Sequence, residues 1–145
     1  MGPDLSCPIA RSLTVLGERW TLLVMREAVS GTTRFADYRD NLGIATDVLS
    51  DRLRKLVDHG LLARVPYQEP GSRSRDAYEV TPAGREVMVV LGALQEWGAE
   101  NVPRAGAPLV ERRRISDGAP LHVAFVDDTG REVPVDDVEF TLTPA

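Results

Sequence analysis

Cysteine, lysine, histidine and aromatic residues are all scarce in this chain of 145 residues. Its one cysteine, Cys7, excludes an intramolecular disulfide and favours a reducing, cytosolic compartment. No segment approaches the roughly 18 consecutive apolar residues that a membrane helix needs. The residues before Pro8 carry no basic cluster, which argues against a secretion signal. We therefore expect a cytoplasmic protein that does not enter a membrane.

The sequence also lacks the residue patterns that are typical of catalytic and metal sites. The two histidines, His59 and His122, are far apart in sequence and have no further cysteine nearby, so they do not form a metal-ligand pattern. The carboxylates are scattered, and there is no glycine-rich phosphate loop. We expect no enzyme activity, no catalytic residues, no metal site and no cofactor.

Charge is distributed unevenly along the chain. The net charge of −5 is unfavourable for a DNA-binding protein. However, residues 1–85 contain 12 basic and 11 acidic residues, whereas residues 109–145 contain 4 basic and 8 acidic residues. Basic residues cluster at 52–55 and 73–75. A local basic surface of this kind is sufficient for binding phosphates, so the whole-chain charge does not exclude DNA.

Helical periodicity runs through the first 60 residues. It predicts helices over 8–16 and 19–29 and a short amphipathic helix from Phe35 that stops near Gly43. The segment 46–59 has apolar residues at helical spacing and Thr46 as a candidate N-cap. Gly60 fits the left-handed C′ position of a Schellman end, in which Leu61 contacts Leu56.

Strand-like alternation follows at 62–67 and 77–80, around a polar loop over 68–76. Thr81 as N-cap and Pro82 at N1 predict another helix. Its apolar circumference exceeds what one small domain covers, which indicates a subunit interface. After residue 104, short strands are predicted over 109–115, 121–126, 131–133 and 138–142, with a hairpin turn at 127–130.

We therefore predict an α+β fold: a winged helix-turn-helix with dimerisation helices and a small C-terminal β appendage. The predicted domains are 1–104, for DNA binding and dimerisation, and 105–145, an acidic β-rich extension. The extension could lengthen the dimer, cover an effector site, contact another protein, or only stabilise the fold.

The helix over 46–59 is the predicted recognition helix, which would present its N-terminal half to the major groove. Arg54 suits a guanine contact and Ser50 suits a base or phosphate. Arg52 and Lys55 would neutralise phosphates, and Arg73 and Arg75 would reach the minor groove or the backbone from the wing. The full set of predicted DNA-binding residues is Arg34, Thr46, Asp47, Ser50, Arg52, Arg54, Lys55, Arg73 and Arg75.

Two alternatives stay open at this point. The basic residues of the helix could be a solvated face that pairs with Asp51 and Asp58 at helical spacing. The winged helix could also serve as a protein-interaction module that does not itself read DNA.

A family resemblance is carried by a series of segments in unbroken order over residues 7–98. They are CPIA at 7–10, LGERWTLL at 16–23, RF at 34–35, LSDRLRKL at 49–56, GLL at 60–62, YEVTPAG at 78–84 and EWG at 96–98. The chain thereby resembles the HxlR family of bacterial regulators. The resemblance implies a repressor or activator of transcription that binds double-stranded DNA as a homodimer, joined through its first and last helices. Two recognition helices related by the symmetry of such a dimer predict a pseudo-palindromic operator.

Three further residues are candidates for sensing. Cys7 coincides with the cysteine that similar regulators use to detect oxidants or electrophiles, and Arg11 lies one helical turn later. A small buried residue at the dimer seam is the alternative for this cysteine. Trp20 and Trp97 could line an effector pocket, although both are more often core or interface residues.

Overall fold

The computed structural model describes residues 2, 4–108 and 110–141. The helices are α1 (Pro8–Leu16), α2 (Thr21–Val29), α3 (Phe35–Leu42), α4 (Thr46–Asp58) and α5 (Pro82–Asn101). Strands β1 (Leu62–Tyr67) and β2 (Arg75–Val80) lie between α4 and α5. Four two-residue strands follow: β3 (Arg112–Arg113), β4 (Pro120–Leu121), β5 (Phe125–Val126) and β6 (Glu132–Val133). None of the helices in the described residues is long and apolar enough to cross a membrane.

The helix-turn-helix is built around one hydrophobic core. Leu49, Leu53 and Leu56 of α4 are buried against apolar residues of α2 and against Tyr38 of α3. Their spacing of four and three places them on one side of the helix, as the periodicity predicts. Burial of this side leaves the opposite side of α4 facing outward.

The wing consists of β1, β2 and the loop 68–74 between them. The two strands pair antiparallel from Leu62 opposite Val80 to Tyr67 opposite Arg75. Arg34, just before α3, makes a further bridge to Ala77 of β2. Because this bridge joins the start of α3 to the wing, the helix-turn-helix and the hairpin hold a defined orientation. The α+β winged helix-turn-helix prediction is confirmed.

The C-terminal end of α4 is the predicted Schellman motif. Gly60 has φ 75°, the Leu61 N–H donates to the Leu56 carbonyl at 2.9 Å, and the Gly60 N–H donates to the Val57 carbonyl at 3.0 Å. These two bonds satisfy carbonyls that would otherwise end the helix unpaired. The C-terminal end of α4 is therefore set by local hydrogen bonds.

The N-terminal end of α4 differs from the prediction. Ala45 is the N-cap, in an extended conformation with φ −63° and ψ 140°, and Thr46 is the first helical residue. The Leu49 N–H donates to the Ala45 carbonyl at 2.9 Å, which makes Ala45 the half-in residue. The prediction of Thr46 as N-cap was therefore wrong by one residue. Alanine has no side-chain acceptor, so no side-chain hydrogen bond caps this end.

The start of α5 follows the prediction. The Gly84 N–H donates to the Thr81 hydroxyl at 3.0 Å, which is an N-cap bond, and Pro82 occupies the first helical position. A Cβ on Gly84 would lie 2.1 Å from the Leu61 carbonyl oxygen. Glycine is therefore required where the first turn of α5 crosses the start of the wing.

The described residues group into two compact units, Met1–Leu91 and Gly92–Ala145. The division falls inside α5, earlier than the predicted domain boundary at residue 104. In the second unit, Arg112 donates to Gln95 and Glu96, and the Val123 N–H donates to the Glu96 carboxylate at 2.9 Å. The extension is thus fastened to the second half of α5 mainly by polar contacts.

The extension contains shorter strands than predicted. Of the predicted segment 109–115, residue 109 lies outside the described residues, and only 112–113 of the rest form a strand. The segment 121–126 is divided between β4 and β5, and a 3-10 helix occupies Val135–Asp137. Residues 138–141 form no strand, so the prediction of a strand over 138–142 was wrong for them, and residue 142 lies outside the described residues. The turn at 127–130 is confirmed, with the Gly130 N–H donating to the Asp127 carbonyl at 2.9 Å.

Candidate nucleic-acid interface

The outward side of α4 carries four of the predicted DNA-binding residues, including Ser50 and Arg54, the two candidates for base contacts. Thr46, Asp47, Ser50 and Arg54 are all exposed on this side, opposite the buried leucines. An exposed helix face of this size, on a helix with a buried opposite side, is what insertion into a major groove requires. Four of the nine predicted residues are thus brought onto one surface.

Arg54 is held by two carboxylates of its own helix. Its guanidinium lies 2.6 Å from Asp51 Oδ1 and 3.7 Å from Asp58 Oδ2, while 55% of its side chain is exposed. These are the pairs that helical spacing allows. The guanidinium is therefore both accessible and oriented by Asp51.

Arg52 and Lys55 are joined to a carboxylate from a different part of the chain. Glu18, in the turn between α1 and α2, accepts from Arg52 at 2.5 Å and from Lys55 at 2.6 Å. Asp51 Oδ2 also lies 2.5 Å from Arg52 and 3.2 Å from Lys55. Only 16% of the Arg52 side chain is exposed, so Arg52 lies at the base of this cluster and Lys55 at its edge.

Hydrogen bonding keeps the two carboxylates ionised. The hydrogen bond from Lys55 lowers the pKa of Glu18, and hydrogen bonds from Lys55 and Arg54 lower the pKa of Asp51. The same bonds raise the pKa of Lys55. Arg52, Arg54 and Lys55, which we call the α4 cations, therefore face two fixed negative charges, the carboxylate pair Glu18 and Asp51.

Arg34 joins the start of α3 to the wing loop. Its guanidinium lies 2.5 Å from Glu69 and is stacked 4.8 Å above the centre of the Tyr67 ring. These residues, together with Arg75, border a cleft of about 460 Å³ between α3 and the wing. The stacked guanidinium is half-exposed, so it can still accept a second anionic partner.

The wing arginines differ from the α4 cations. Arg73 and Arg75 are exposed at the wing, and neither forms an ion pair with any residue that the structure describes. The wing loop that carries Arg73 is closed by a 2.8 Å bond from the Gln68 amide to the Ser72 carbonyl, and Arg75 is the first residue of β2. Among the described residues, the two wing arginines therefore present their charge without an ion-pair partner.

Cys7 lies at the N-cap of α1 and is exposed. The neighbouring Arg11 donates from its guanidinium to the carbonyls of Leu5 and Ser6, at 2.9 and 2.8 Å. The sulfur is thus accessible to a reagent in the single chain, with a fixed positive charge in the same turn.

The two tryptophans occupy different environments. Trp20 is half-buried against the core, with Arg19 positioned over its ring, whereas 61% of Trp97 on α5 is exposed. Trp97 is one of several exposed apolar residues on α5, with Met88, Val89, Val90 and Leu94, and Ile9 and Leu13 are exposed on α1. Neither tryptophan borders the cleft at the wing. No group of three or more potential metal ligands occurs among the residues described.

Sequence reasoning missed two of the carboxylates at this interface. Glu18 is 34 residues from Arg52 along the chain, and Glu69 is 35 residues from Arg34, so no local spacing connects them. The pairing of Arg54 and Lys55 with Asp51, by contrast, follows from the spacing of three and four and was one of the alternatives for this face. Contacts within one helix are thus visible in the sequence, and contacts between elements are not.

Comparison with known proteins covers most of the chain. Residues 15–106 match the HxlR-like helix-turn-helix family. An uncharacterised helix-turn-helix type transcriptional regulator of Mycobacterium tuberculosis H37Rv is 43% identical over 110 residues, which are 76% of this chain and 68% of that regulator. The region that matches the family, residues 15–106, contains the helix-turn-helix, the wing and α5.

Two solved structures extend the comparison. The crystal structure of PA1607, described as a candidate transcription factor, is similar with a TM-score of 0.81 and 32% identity, over 95% of this chain and 96% of PA1607. The redox regulator HypR in its reduced form is similar with a TM-score of 0.60 and 26% identity, over 66% of this chain and 94% of HypR. The likeness to PA1607 thus includes most of the extension, which lies beyond the family match.

Proposed function

Because the chain belongs to the HxlR-like helix-turn-helix family, whose relatives are transcriptional regulators, we propose that it binds a pseudo-palindromic operator as a homodimer. DNA binding is implied by the family, and regulators of this class are not enzymes. The symmetry of the operator, the homodimer and the response to an effector are our proposals.

The observation that carries the proposal is the exposed side of α4. Ser50 and Arg54 lie outward on a helix whose opposite side is anchored by three buried leucines. A helix held this way can enter the major groove as a rigid body, with Arg54 forming two bonds to guanine O6 and N7. Thr46 and Asp47 extend the same face toward the helix N-terminus.

The remaining predicted residues take backbone roles. Arg73 and Arg75 would bind phosphates or the minor groove from the wing, and Arg34 would bind a phosphate beside it. Lys55 would contact a phosphate at the edge of the groove. Arg52, with little exposed surface, would contribute mainly by holding Glu18 and Asp51 in place.

The homodimer is supported by the unused apolar surface of two helices. Ile9 and Leu13 on α1 and Val89 and Trp97 on α5 are more than half exposed. Exposed apolar residues in such number favour a subunit interface over contact with solvent. Two α4 helices related by a two-fold axis would then reach major grooves about one helical turn apart.

A sensing role for Cys7 is the second part of the proposal. The sulfur is exposed, and one similar structure is that of a redox regulator. Because the chain has no second cysteine, an oxidant would produce a bridge to Cys7 of a second copy or a mixed disulfide with a small thiol, whereas an electrophile would alkylate the sulfur directly. Trp20 and Trp97 remain candidates for binding a small-molecule effector.

The experiment that tests DNA binding has two stages. Random duplex DNA is first titrated at several salt concentrations, and a DNA-binding protein should lose affinity linearly on a log–log plot. Genomic fragments are then selected by binding, and a shared inverted repeat is the expected result. A winged helix that acts only as a protein-interaction module would show neither the salt dependence nor the enriched repeat.

The experiment that tests Cys7 compares the wild type with Cys7→Ser. DNA affinity of each is measured with and without diamide, and the wild type alone should respond. An equal response of both proteins would remove Cys7 from the mechanism.

A further inference from the structure

Asp51 is the centre of the charged cluster on α4. Its carboxylate lies 2.6 Å from Arg54, 2.5 Å from Arg52 and 3.2 Å from Lys55. It therefore contacts every basic residue of the helix. Glu18 contacts two of the three from the other side. Three positive charges are opposed by two negative charges within one small surface.

Stability accounts for the pairing of Arg52, of which only 16% is exposed, but not for the pairing of Arg54 and Lys55. Ion pairs between partly exposed side chains contribute little to folding, because water screens them and long side chains lose entropy when they are held. The effect on a charged ligand is larger. A DNA phosphate that approaches Arg54 or Lys55 meets a cation whose charge is already offset by a nearby carboxylate.

The two kinds of DNA contact respond differently to such pairing. Binding to phosphates depends on free positive charge and is the same for every sequence. Reading a guanine depends on the direction of the guanidinium, and Asp51 engages only one nitrogen of Arg54, Nη2, at short distance. The remaining nitrogens of Arg54 stay accessible on a side chain that is held in position.

We infer that Asp51, supported by Glu18, is a specificity-determining residue of the DNA interface. It orients Arg54 for base reading and suppresses the phosphate binding of Arg54 and Lys55 that would favour any sequence. The inference rests on the proposed function, since it assumes that α4 meets DNA. The wing arginines, which have no counter-ion among the described residues, then supply most of the sequence-independent attraction.

The test compares Asp51→Asn with Asp58→Asn. Both changes remove one negative charge from the exposed side of α4, but Asp58 has only a 3.7 Å contact to Arg54. Asp51→Asn should bind random duplex DNA several-fold more tightly than Asp58→Asn at low salt. Its salt slope should be steeper by roughly 0.9 for each cation released, which is about a 3- to 4-fold greater loss between 50 and 200 mM salt.

The selected operator is measured in parallel. Asp51→Asn should gain less affinity for the operator than for random DNA, so the ratio of the two affinities falls and the base preference at the Arg54 position relaxes. Glu18→Gln, which removes one of the two carboxylates that contact Lys55 and leaves Arg54 paired, should steepen the salt slope but leave that base preference intact. Circular dichroism confirms that each variant is folded.

The outcomes separate the two claims. If the wild type binds no duplex at low salt, the proposed function is wrong and the inference is overturned with it. If the wild type binds and selects an operator, but Asp51→Asn matches Asp58→Asn in random-DNA affinity, salt slope and base preference, the inference alone is overturned.

Discussion

At the scale of single residues, Tyr38 is a buried polar group that connects α3 to two other segments. It has no exposed surface, and its hydroxyl lies 2.7 Å from the Thr32 carbonyl oxygen and 3.1 Å from that of Tyr78. Burial, and secondarily the charge of Glu27, raises the pKa of Tyr38. The phenol is thus a neutral donor that ties the helix-turn-helix to the wing.

We expect Tyr38→Phe to lower the free energy of unfolding by roughly 1–2 kcal/mol at neutral pH, because a buried carbonyl loses its donor. Since the folded state disfavours the phenolate, the wild type should lose stability as the pH rises above 10.0, the ordinary pKa of tyrosine. Urea denaturation at pH 7 to 11 measures both effects. The Phe variant should show a smaller alkaline loss than a Tyr67→Phe control, and equal losses would contradict the assignment.

We expect Arg54 to read a base and Arg73 to bind a phosphate, so substitution of each should have a different effect. Arg54→Ala should weaken operator binding by roughly 1–3 kcal/mol and relax preference at one base pair, because a bidentate guanine contact is lost. Arg73→Ala should weaken binding to all sequences and make the salt slope shallower by roughly one. Fluorescence anisotropy with operator and random duplexes measures both. Unchanged affinity and base preference in Arg54→Ala would show that α4 docks in a different register.

At the scale of elements, α5 can cross the start of the wing closely because Gly84 has no side chain. Any Cβ at Gly84 would contact the Leu61 carbonyl oxygen at 2.1 Å and the Val80 side chain at 3.0 Å. The first contact is with backbone that also accepts a hydrogen bond from the Thr81 N–H. Neither partner can move freely, so the packing of α5 on the wing is constrained here.

Gly84→Ala should therefore destabilise the protein by roughly 1–3 kcal/mol, as expected when extra volume enters a packed site. Gly98→Ala is the matched control, since it lies in the same helix and a Cβ there meets nothing within 4 Å. This control should be neutral or slightly stabilising, because alanine favours helix. Thermal unfolding of both variants gives the comparison, and a Gly84→Ala protein as stable as the control would contradict the close approach.

At the scale of the whole molecule, the distribution of apolar surface matters most. The buried apolar core of the described residues lies between Val24 and Val87, within the first unit. The second half of α5 and the extension instead expose apolar residues such as Trp97 and Val126. We therefore expect a second copy of the chain to cover this exposed apolar surface.

Val89→Asp should shift the proposed homodimer toward monomer, because a charge on the exposed apolar side of α5 would be buried in the proposed interface. Analytical ultracentrifugation measures the shift, and operator affinity should fall with it. Val126→Asp, at a similarly exposed site on β5, separates the roles of the extension. If Val126→Asp also dissociates the proposed dimer, the extension takes part in the interface. A Val89→Asp protein that stays dimeric would contradict the proposed interface on α5.

Much of the fold was predictable because its signals are local. The Schellman end at Gly60 and the Thr81 cap depend on residues no more than five positions apart. Strand β1 was predicted with its observed bounds, since alternation and turn residues surround it. The extension was predicted less well, because strands of two residues carry too little pattern to set their ends.

The sequence by itself determined the helix-turn-helix, the wing and the outward position of Arg54, because periodicity and capping act within a few residues. Only the tertiary structure decided which cations are free. Glu18 reaches Arg52 and Lys55, and Glu69 reaches Arg34, across more than 30 residues of chain. Ion pairing depends on distance in space, and that distance is set by the packing of α2, α4 and the wing around a common core.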